Sequence, residues 1–306
     1  MATYLVLQAS GQQSGWTITH LLEAGAKVHA LVRNPQVTPP GLERPGVTVF
    51  NGETTDFEAV FRAAQGCKGV FLNTFPIPGL EAQQAQTAVD ACKKAGVGTI
   101  VVTTTFSTGD RAKWDDAVTK ECYLHGYYSS KAAVEDIVRG AGFRAYTILR
   151  PAFMCFDYLL PGAYGNYPEL PTHGELRHCF NDGVRMPHTD GYDVGKYAAA
   201  ALQDPAKFDG QEIELGNEYL TVEEVRDTLV KVSGRDVRVR KRTPAEIREA
   251  LATAFGQTFQ LWANVKDFSG VTSGAKEVQL KFGIPFTSLE MALQRDKARL
   301  LECLPA

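Results

Sequence analysis

The sequence predicts an α/β fold: a doubly wound parallel sheet with helices on both faces, plus a smaller C-terminal α/β domain. Three observations predict it. Short apolar runs alternate with helical stretches through the first half of the 306 residues. The chain opens on a strand, a tight turn and a helix, "YLVLQASGQQSGWTITHLL". The rhythm then breaks after Met154 into a stretch rich in Tyr, Pro and Gly, beyond which α/β elements resume.

The strands fall in YLVLQ, KVHALVR, VTVFNG, GVFLNTF, GTIVVTTT and AYTILRP. Between them, GWTITHLLEAG, TDFEAVFRAAQG, LEAQQAQTAVDACKKAG and SSKAAVEDIVRGAG carry apolar residues near helical spacing, and several close on Gly. Residues 157–171 read as a loop or lid. A helix in GYDVGKYAAAALQDP and a strand in QEIELG restore the pattern. Thr221 then caps a helix whose Glu224 completes a capping box, and the end from about Lys241 is mostly helical. The first domain is expected over 1–155 with 189–216 returning to it, and the smaller one over 156–188 and 217–306.

Composition narrows the function classes. A hydrophobic share of 44% with 22% charged residues is that of a folded, compact protein. The net charge of -3 and scattered Lys and Arg give no nucleic-acid footprint. The one basic run, RVRKR at 238–242, alternates with Val as a solvated strand face does. Six cysteines without paired spacing point to reduced thiols rather than zinc or disulfides. No basic leader precedes the first strand, and no apolar run approaches the ~20 residues that span a bilayer. A cytoplasmic location, no membrane partner and no metal are expected.

The opening turn bears on a dinucleotide. In such turns glycines permit a tight bend and let backbone approach a pyrophosphate held at the helix N-terminus. Aligned on GxxGxxG, the three positions are Gln8, Gly11 and Ser14, so only the central glycine is present. Ser10, Gly11, Gln12 and Gln13 are the candidate phosphate-side residues. The second strand ends in LVRNP, where NAD-binding proteins often place an acidic residue; Arg33, followed by Asn34, stands there instead. A guanidinium pairs with a 2′-phosphate that a carboxylate would repel, which favours NADP(H).

Tyr127 and Lys131 in YYSSK stand four apart, on one face of a helix. Carbonyl reduction suits such a pair: a phenol hydrogen-bonded to the oxygen that gathers charge can protonate it, and an adjacent ammonium favours phenolate. Tyr123 and Tyr128 are rivals for the donor role, and His125 is a weaker candidate for proton relay. His173, His178 and His188 have no carboxylate or Cys at metal spacing and read as surface histidines. The aromatics of CFDYLLPGAYGNYPELP, namely Phe156, Tyr158, Tyr164 and Tyr167, are candidate walls of a pocket for a bulky apolar substrate, with Trp262 beside them.

Taken in order, these stretches together with NGETTDFEAVFRAAQGCKGVFLNT, YYSSKAAVEDIVRGAGFRAYTILRPAFM and GQEIELGNEYLTVEEV resemble the NmrA-like and isoflavone-reductase-like group of atypical short-chain dehydrogenase/reductases. The likeness spans nearly the whole chain. It implies a Rossmann-type domain binding NADP(H) or NAD(H), with a smaller domain closing over a substrate cleft. The group's turn resembles GATGxQG, from which QASGQQS departs at two glycines. The resemblance further places Glu53 and Thr54 near the adenine, Asn73, Thr74 and Phe75 along the cofactor, and Pro151 to Phe153 near the nicotinamide. A hydroxyl at the end of the fifth strand would orient the substrate carbonyl; VVTTTFS offers Thr103, Thr104, Thr105 and Ser107, with Thr104 or Thr105 preferred. Asp157 stands where the group often has Asn. The expected activity is an NADP(H)-dependent reductase acting on a carbonyl, enone or imine of a medium-sized apolar metabolite, as a monomer or homodimer. The alternatives are an NADP(H)-binding sensor without turnover, and an enzyme of cyclisation or isomerisation with no net redox change.

Overall fold

The structure, a computed structural model, describes residues 1–34 and 40–306. Two compact units divide it. The first comprises Met1–Gly109, Gly126–Arg150 and Gly191–Ile213; the second comprises Asp110–His125, Pro151–Asp190 and Glu214–Ala306.

The first unit is built on the strands β1 (Thr3–Val6), β2 (Lys27–Val32), β3 (Val47–Asn51), β4 (Gly69–Asn73), β5 (Thr99–Thr103) and β6 (Ala145–Arg150). Together with the strand Gln211–Glu214 they form a seven-stranded sheet in which β3, β2, β1, β4, β5 and β6 lie in that order and Gln211–Glu214 borders β6. The pairings β1–β2, β2–β3, β1–β4, β4–β5 and β5–β6 are parallel. This is the Rossmann order, and the strand order reverses between β1 and β4, where such sheets bind ligands. Helices α1 (Gln12–Glu23), α2 (Phe57–Ala64), α3 (Leu80–Lys94), α4 (His125–Gly140) and α5 (Gly191–Gln203) connect and cover the strands. The runs are nearly uniformly apolar because both faces are covered: Leu5, Leu7, Val70, Leu72, Ile100, Val102 and Ile148 lie in one core with Val60, Ala88 and Val134 from the helices.

Helix α5 approaches α1 so closely that only glycine fits between them. A Cβ on Gly195 would come 2.5 Å from the backbone carbon of Trp16 and 2.6 Å from the amide nitrogen of Thr17.

The second unit holds two small sheets. Met186–Thr189 pairs parallel with Phe153–Met154 and antiparallel with Glu218–Leu220. Glu175–His178 pairs parallel with Arg238–Lys241, so the first residues of the basic run form a strand while Arg242 is buried against Glu169. The Thr221–Glu224 capping box starts the helix Val222–Ser233. The division expected from the sequence left 110–125 in the first domain. In the structure these residues belong with the second, where Trp262 Nε1 donates to Thr119 Oγ1 at 2.9 Å and Lys266 pairs with Asp116. No helix of the described residues is long and apolar enough to cross a membrane.

Candidate functional site

The turn between β1 and α1 is tight despite its missing glycines. Gln8 takes a left-handed backbone, φ 48°, in the place of the first glycine, at a cost of roughly 1 kcal/mol for a residue with a Cβ. Its carbonyl accepts from the Gly11 amide at 2.9 Å. A Cβ on Gly11 would press on the Gln8 oxygen at 3.3 Å and touch Asn73 Nδ2 at 3.9 Å, so the glycine keeps this approach relaxed. Ser14, fully buried, replaces the third glycine without conflict because its hydroxyl donates to the Leu7 carbonyl at 3.0 Å. Gly11 caps α1 with no side-chain hydrogen bond, and the positive end of the helix dipole lies here, where it attracts an anion.

Beside this turn lies a crevice of about 160 Å³ lined by Gln8, Ser10, Arg33, Glu53, Thr54, Phe75 and Gln84, among others. The structure thus brings Ser10, Arg33, Glu53, Thr54 and Phe75 together from four separate segments. Gln84, on α3, knits the wall: its Oε1 accepts from the Phe75 amide at 2.9 Å and from Gln8 Nε2 at 3.3 Å. Arg33 is exposed at the end of β2, with its guanidinium carbon 5.8 Å from the centre of the Phe75 ring. Asn34 is exposed and does not line this crevice.

Tyr127 and Lys131 share a face of α4, with the Lys131 ammonium 5.5 Å from the centre of the Tyr127 ring. A third member joins them that the sequence reading lacked. Glu81, fully buried in the first turn of α3, accepts from Lys131 Nζ at 2.6 Å and from Thr74 Oγ1 at 2.7 Å, both on Oε1. The ammonium therefore has a carboxylate partner where an isolated positive charge was expected. An acidic residue near a helix N-terminus ordinarily reads as a complement to the dipole, which is why Glu81 carried no signal.

The hydroxyls after β5 are committed in different directions. Thr103 Oγ1 donates to Gln13 Oε1 at 2.8 Å, tying β5 to α1. Thr104 Oγ1 donates to Glu135 Oε1 at 2.7 Å, and Glu135 in turn holds the Arg150 guanidinium at 2.9 and 2.7 Å. Thr104 thus belongs to an ionic network that runs from buried Glu135 and Arg150 out to Arg139 and Glu212. Thr105 is buried, and its carbonyl accepts from Thr108 Oγ1.

In the second unit, Phe153, Tyr158, Tyr167 and His188 pack into one aromatic cluster, Tyr158 stacked on Tyr167 at 5.4 Å and on His188 at 5.9 Å. They line a cavity of about 10 Å³ with Phe180, Met186, Val222 and Gln260, the size of a single water. Tyr158 and His188 Nε2 are 2.9 Å apart, and His188 Nδ1 lies 2.9 Å from the Met186 carbonyl. The Nδ1–H tautomer satisfies both contacts, with the phenol donating to Nε2. Burial holds the imidazole down to about 4 and pushes both phenols up.

His188 and His178 are therefore interior residues, not the surface histidines the sequence suggested: both are buried and packed against aromatic rings. Among the described residues no cluster of His, Cys, Asp or Glu could hold a metal ion. Trp262 is fully buried against Phe268 and does not line this cavity, and Tyr164 is exposed. Phe156 is half-buried beside Asp157, whose carboxyl burial pushes up to about 7. Pro151 is buried, and the next residue, Ala152, donates its amide to Thr189 Oγ1 at 2.8 Å. His125 lies 2.9 Å from Asp115, so its Nε2 is engaged at the protein surface.

Comparison with known proteins supports this architecture. Quinone oxidoreductase 2 of Escherichia coli is 26% identical over 248 residues, covering 79% of each chain. Arabidopsis thaliana cinnamoyl-CoA reductase 1 is 26% identical over 258 residues, 70% of this chain and 73% of that one. A crystal structure of the E. coli NADPH-dependent quinone oxidoreductase complexed with NADPH superposes with a TM-score of 0.73 at 22% identity, covering 96% of this chain and 99% of that one. NmrA, a negative transcriptional regulator, in complex with NADP gives 0.69 at 21% identity over 96% and 94%. At these identities the two structures attest the shared fold. The model of the NmrA-like family matches residues 2–295, and the chain belongs to that family.

Proposed function

We propose that the protein binds NADP(H) in the first unit and reduces a carbonyl, enone or imine on an apolar substrate, quinones being the first class to test. The observation that carries this reading is the Tyr127–Lys131 pair on α4, in the same unit as a glycine turn and an Arg33-lined crevice.

The residues present fit the dinucleotide. Gly11 leaves backbone room where a side chain would stand, the uncapped start of α1 offers amides to a pyrophosphate, and Arg33 offers a fork of donors to a 2′-phosphate. Glu53 and Thr54 line the same crevice and would take the adenine side, and Asn73 borders Gly11. When bound, NADPH supplies a hydride equivalent to the electrophilic carbon. Tyr127 then hydrogen-bonds the substrate oxygen and gives it a proton as negative charge develops, and solvent returns that proton to the phenol. Lys131 has three N–H donors; with one on Glu81, the others are available to ribose hydroxyls. The relatives named for quinone and cinnamoyl-CoA reduction support a planar, conjugated acceptor.

A second reading is favoured by the strained Gln8 and by the likeness to a regulator: binding NADP(H) without turnover. One experiment decides between them. Purified protein is mixed with NADPH and a panel of quinones, enones and aldehydes while absorbance at 340 nm is followed. Consumption that falls at least about a hundredfold in Tyr127→Phe with NADPH affinity retained supports the reductase. NADPH binding without consumption on any acceptor supports the regulator.

A further inference from the structure

We propose that Glu81 is a positioning residue that acts through Lys131 to keep the Tyr127 hydroxyl protonated, so that the site is set to give a proton rather than to take one. The inference rests on Tyr127 being the proton donor proposed above.

Three observations support it. The Lys131 ammonium and the Glu81 carboxylate are 2.6 Å apart and both buried, at 4% and 0% exposure. An ammonium alone at this distance from a phenol ring would stabilise phenolate strongly in a poorly solvated site. With a carboxylate beside it the pair is a dipole, whose field at the phenol is weaker than that of the ammonium alone. Thr74 Oγ1 donates to the same Glu81 oxygen at 2.7 Å and fixes the carboxylate against Lys131. Finally, the ammonium is seated toward the face of the Tyr127 ring, 5.5 Å from its centre.

Several other charged groups on or beside α4 have partners of their own. On α4, Glu135 and Arg139 join Arg150 from β6 and Glu212 from the strand Gln211–Glu214. His125, at the start of α4, meets Asp115, and the ring next to Tyr127 is that of Tyr128, uncharged at neutral pH. Among the described residues, the carboxylate that pairs with Lys131 is that of Glu81.

A proton donor for reduction has to be protonated when the substrate arrives, whereas an alcohol oxidase site needs phenolate. The ion pair biases the site toward the first. A Lys without a partner would bias it toward the second.

The test reads the phenol directly and needs neither cofactor nor substrate. Protein labelled with ¹³Cζ-tyrosine is titrated by NMR, and the Tyr127 signal among the 11 tyrosines is assigned by its loss in Tyr127→Phe. The wild-type midpoint is expected near the ordinary phenol value of about 10. Glu81→Gln should raise the ionisation constant about tenfold, lowering the midpoint by about one unit. Glu81→Asp, which keeps the charge, should behave as wild type. In a Lys131→Met background, Glu81→Gln should no longer lower the midpoint.

A wild-type midpoint more than about one unit below the ordinary value would overturn the proposal without any variant having to fold. So would an unchanged midpoint in folded Glu81→Gln, or Glu81→Asp behaving as Glu81→Gln. Absence of NADPH consumption would bear on the reductase reading and leave these titrations interpretable on their own.

Discussion

Replacing Arg33 by Ala should weaken NADPH binding and spare NADH. Hydrogen bonds from a guanidinium to a phosphate contribute about 1.5–3 kcal/mol when well formed. Arg33 is exposed at the end of β2, so solvent and salt screen much of that. Its seat near the Phe75 ring, 5.8 Å from the ring centre, restores some of it by limiting the conformations the side chain must give up on binding. The expected loss is about 1–2 kcal/mol, roughly 5- to 30-fold in Kd. For NADH, which lacks the 2′-phosphate, the change should stay within about twofold. Isothermal titration of both cofactors against both proteins, at low and at moderate salt, measures this, and the NADPH difference should shrink as salt rises. Equal losses for the two cofactors, or no loss for NADPH, would refute the assignment of Arg33 to the phosphate.

Other outcomes follow from named contacts. Gln8→Gly removes a left-handed Cβ but adds freedom to the unfolded chain, so urea stability should change by less than about 1 kcal/mol. Its NADPH binding should tighten as the side chain leaves the crevice wall, and weaker binding by calorimetry would contradict that role for Gln8. Gly195→Ala forces α1 and α5 apart and should cost about 2–3 kcal/mol in urea unfolding; a cost below about 0.5 would mean the helices separate freely. His188, held down to about 4 in the fold, stabilises the protein fully above its unfolded value of about 6.5. That stability is lost as pH falls from there toward about 4, reaching about 2 kcal/mol of loss at pH 5. His188→Gln should lack this part of the pH dependence, as differential scanning calorimetry at neutral and mildly acid pH would reveal.

Much of the first unit was legible because its strands are buried on both faces. Apolar runs such as GVFLN and TIVVT announce themselves, and the helices between them end on glycines that only left-handed turns explain. Arg33, Tyr127 and Lys131 could be named from spacing along a strand or helix. What spacing does not carry is the partner from another element. Glu81 meets Lys131 across 50 positions, and the Thr104 hydroxyl meets Glu135 because strand register turns it that way. Trp262 looked like a pocket wall because an aromatic on a helix gives the same pattern whether it faces a cleft or a core; a bond to Thr119 settles its place in the interior. The histidines misled for a similar reason, since a polar residue within a two-sheet unit gives no sign of burial until the strands around it are known.

The interleaving of the two units has a practical consequence for anyone who wishes to dissect this chain. The backbone passes between them after Gly109, His125, Arg150, Asp190 and Ile213, so no single cut releases an intact half. A fragment ending at Arg150 would lack α5 and the border strand Gln211–Glu214, stripping cover from α1 and exposing the edge of β6. Such a piece would present bare apolar surface and an open ladder of amides and carbonyls, the makings of an aggregate. Fusion partners and tags therefore belong at the two ends of the chain, and swapped cassettes between relatives should exchange all three segments of a unit together.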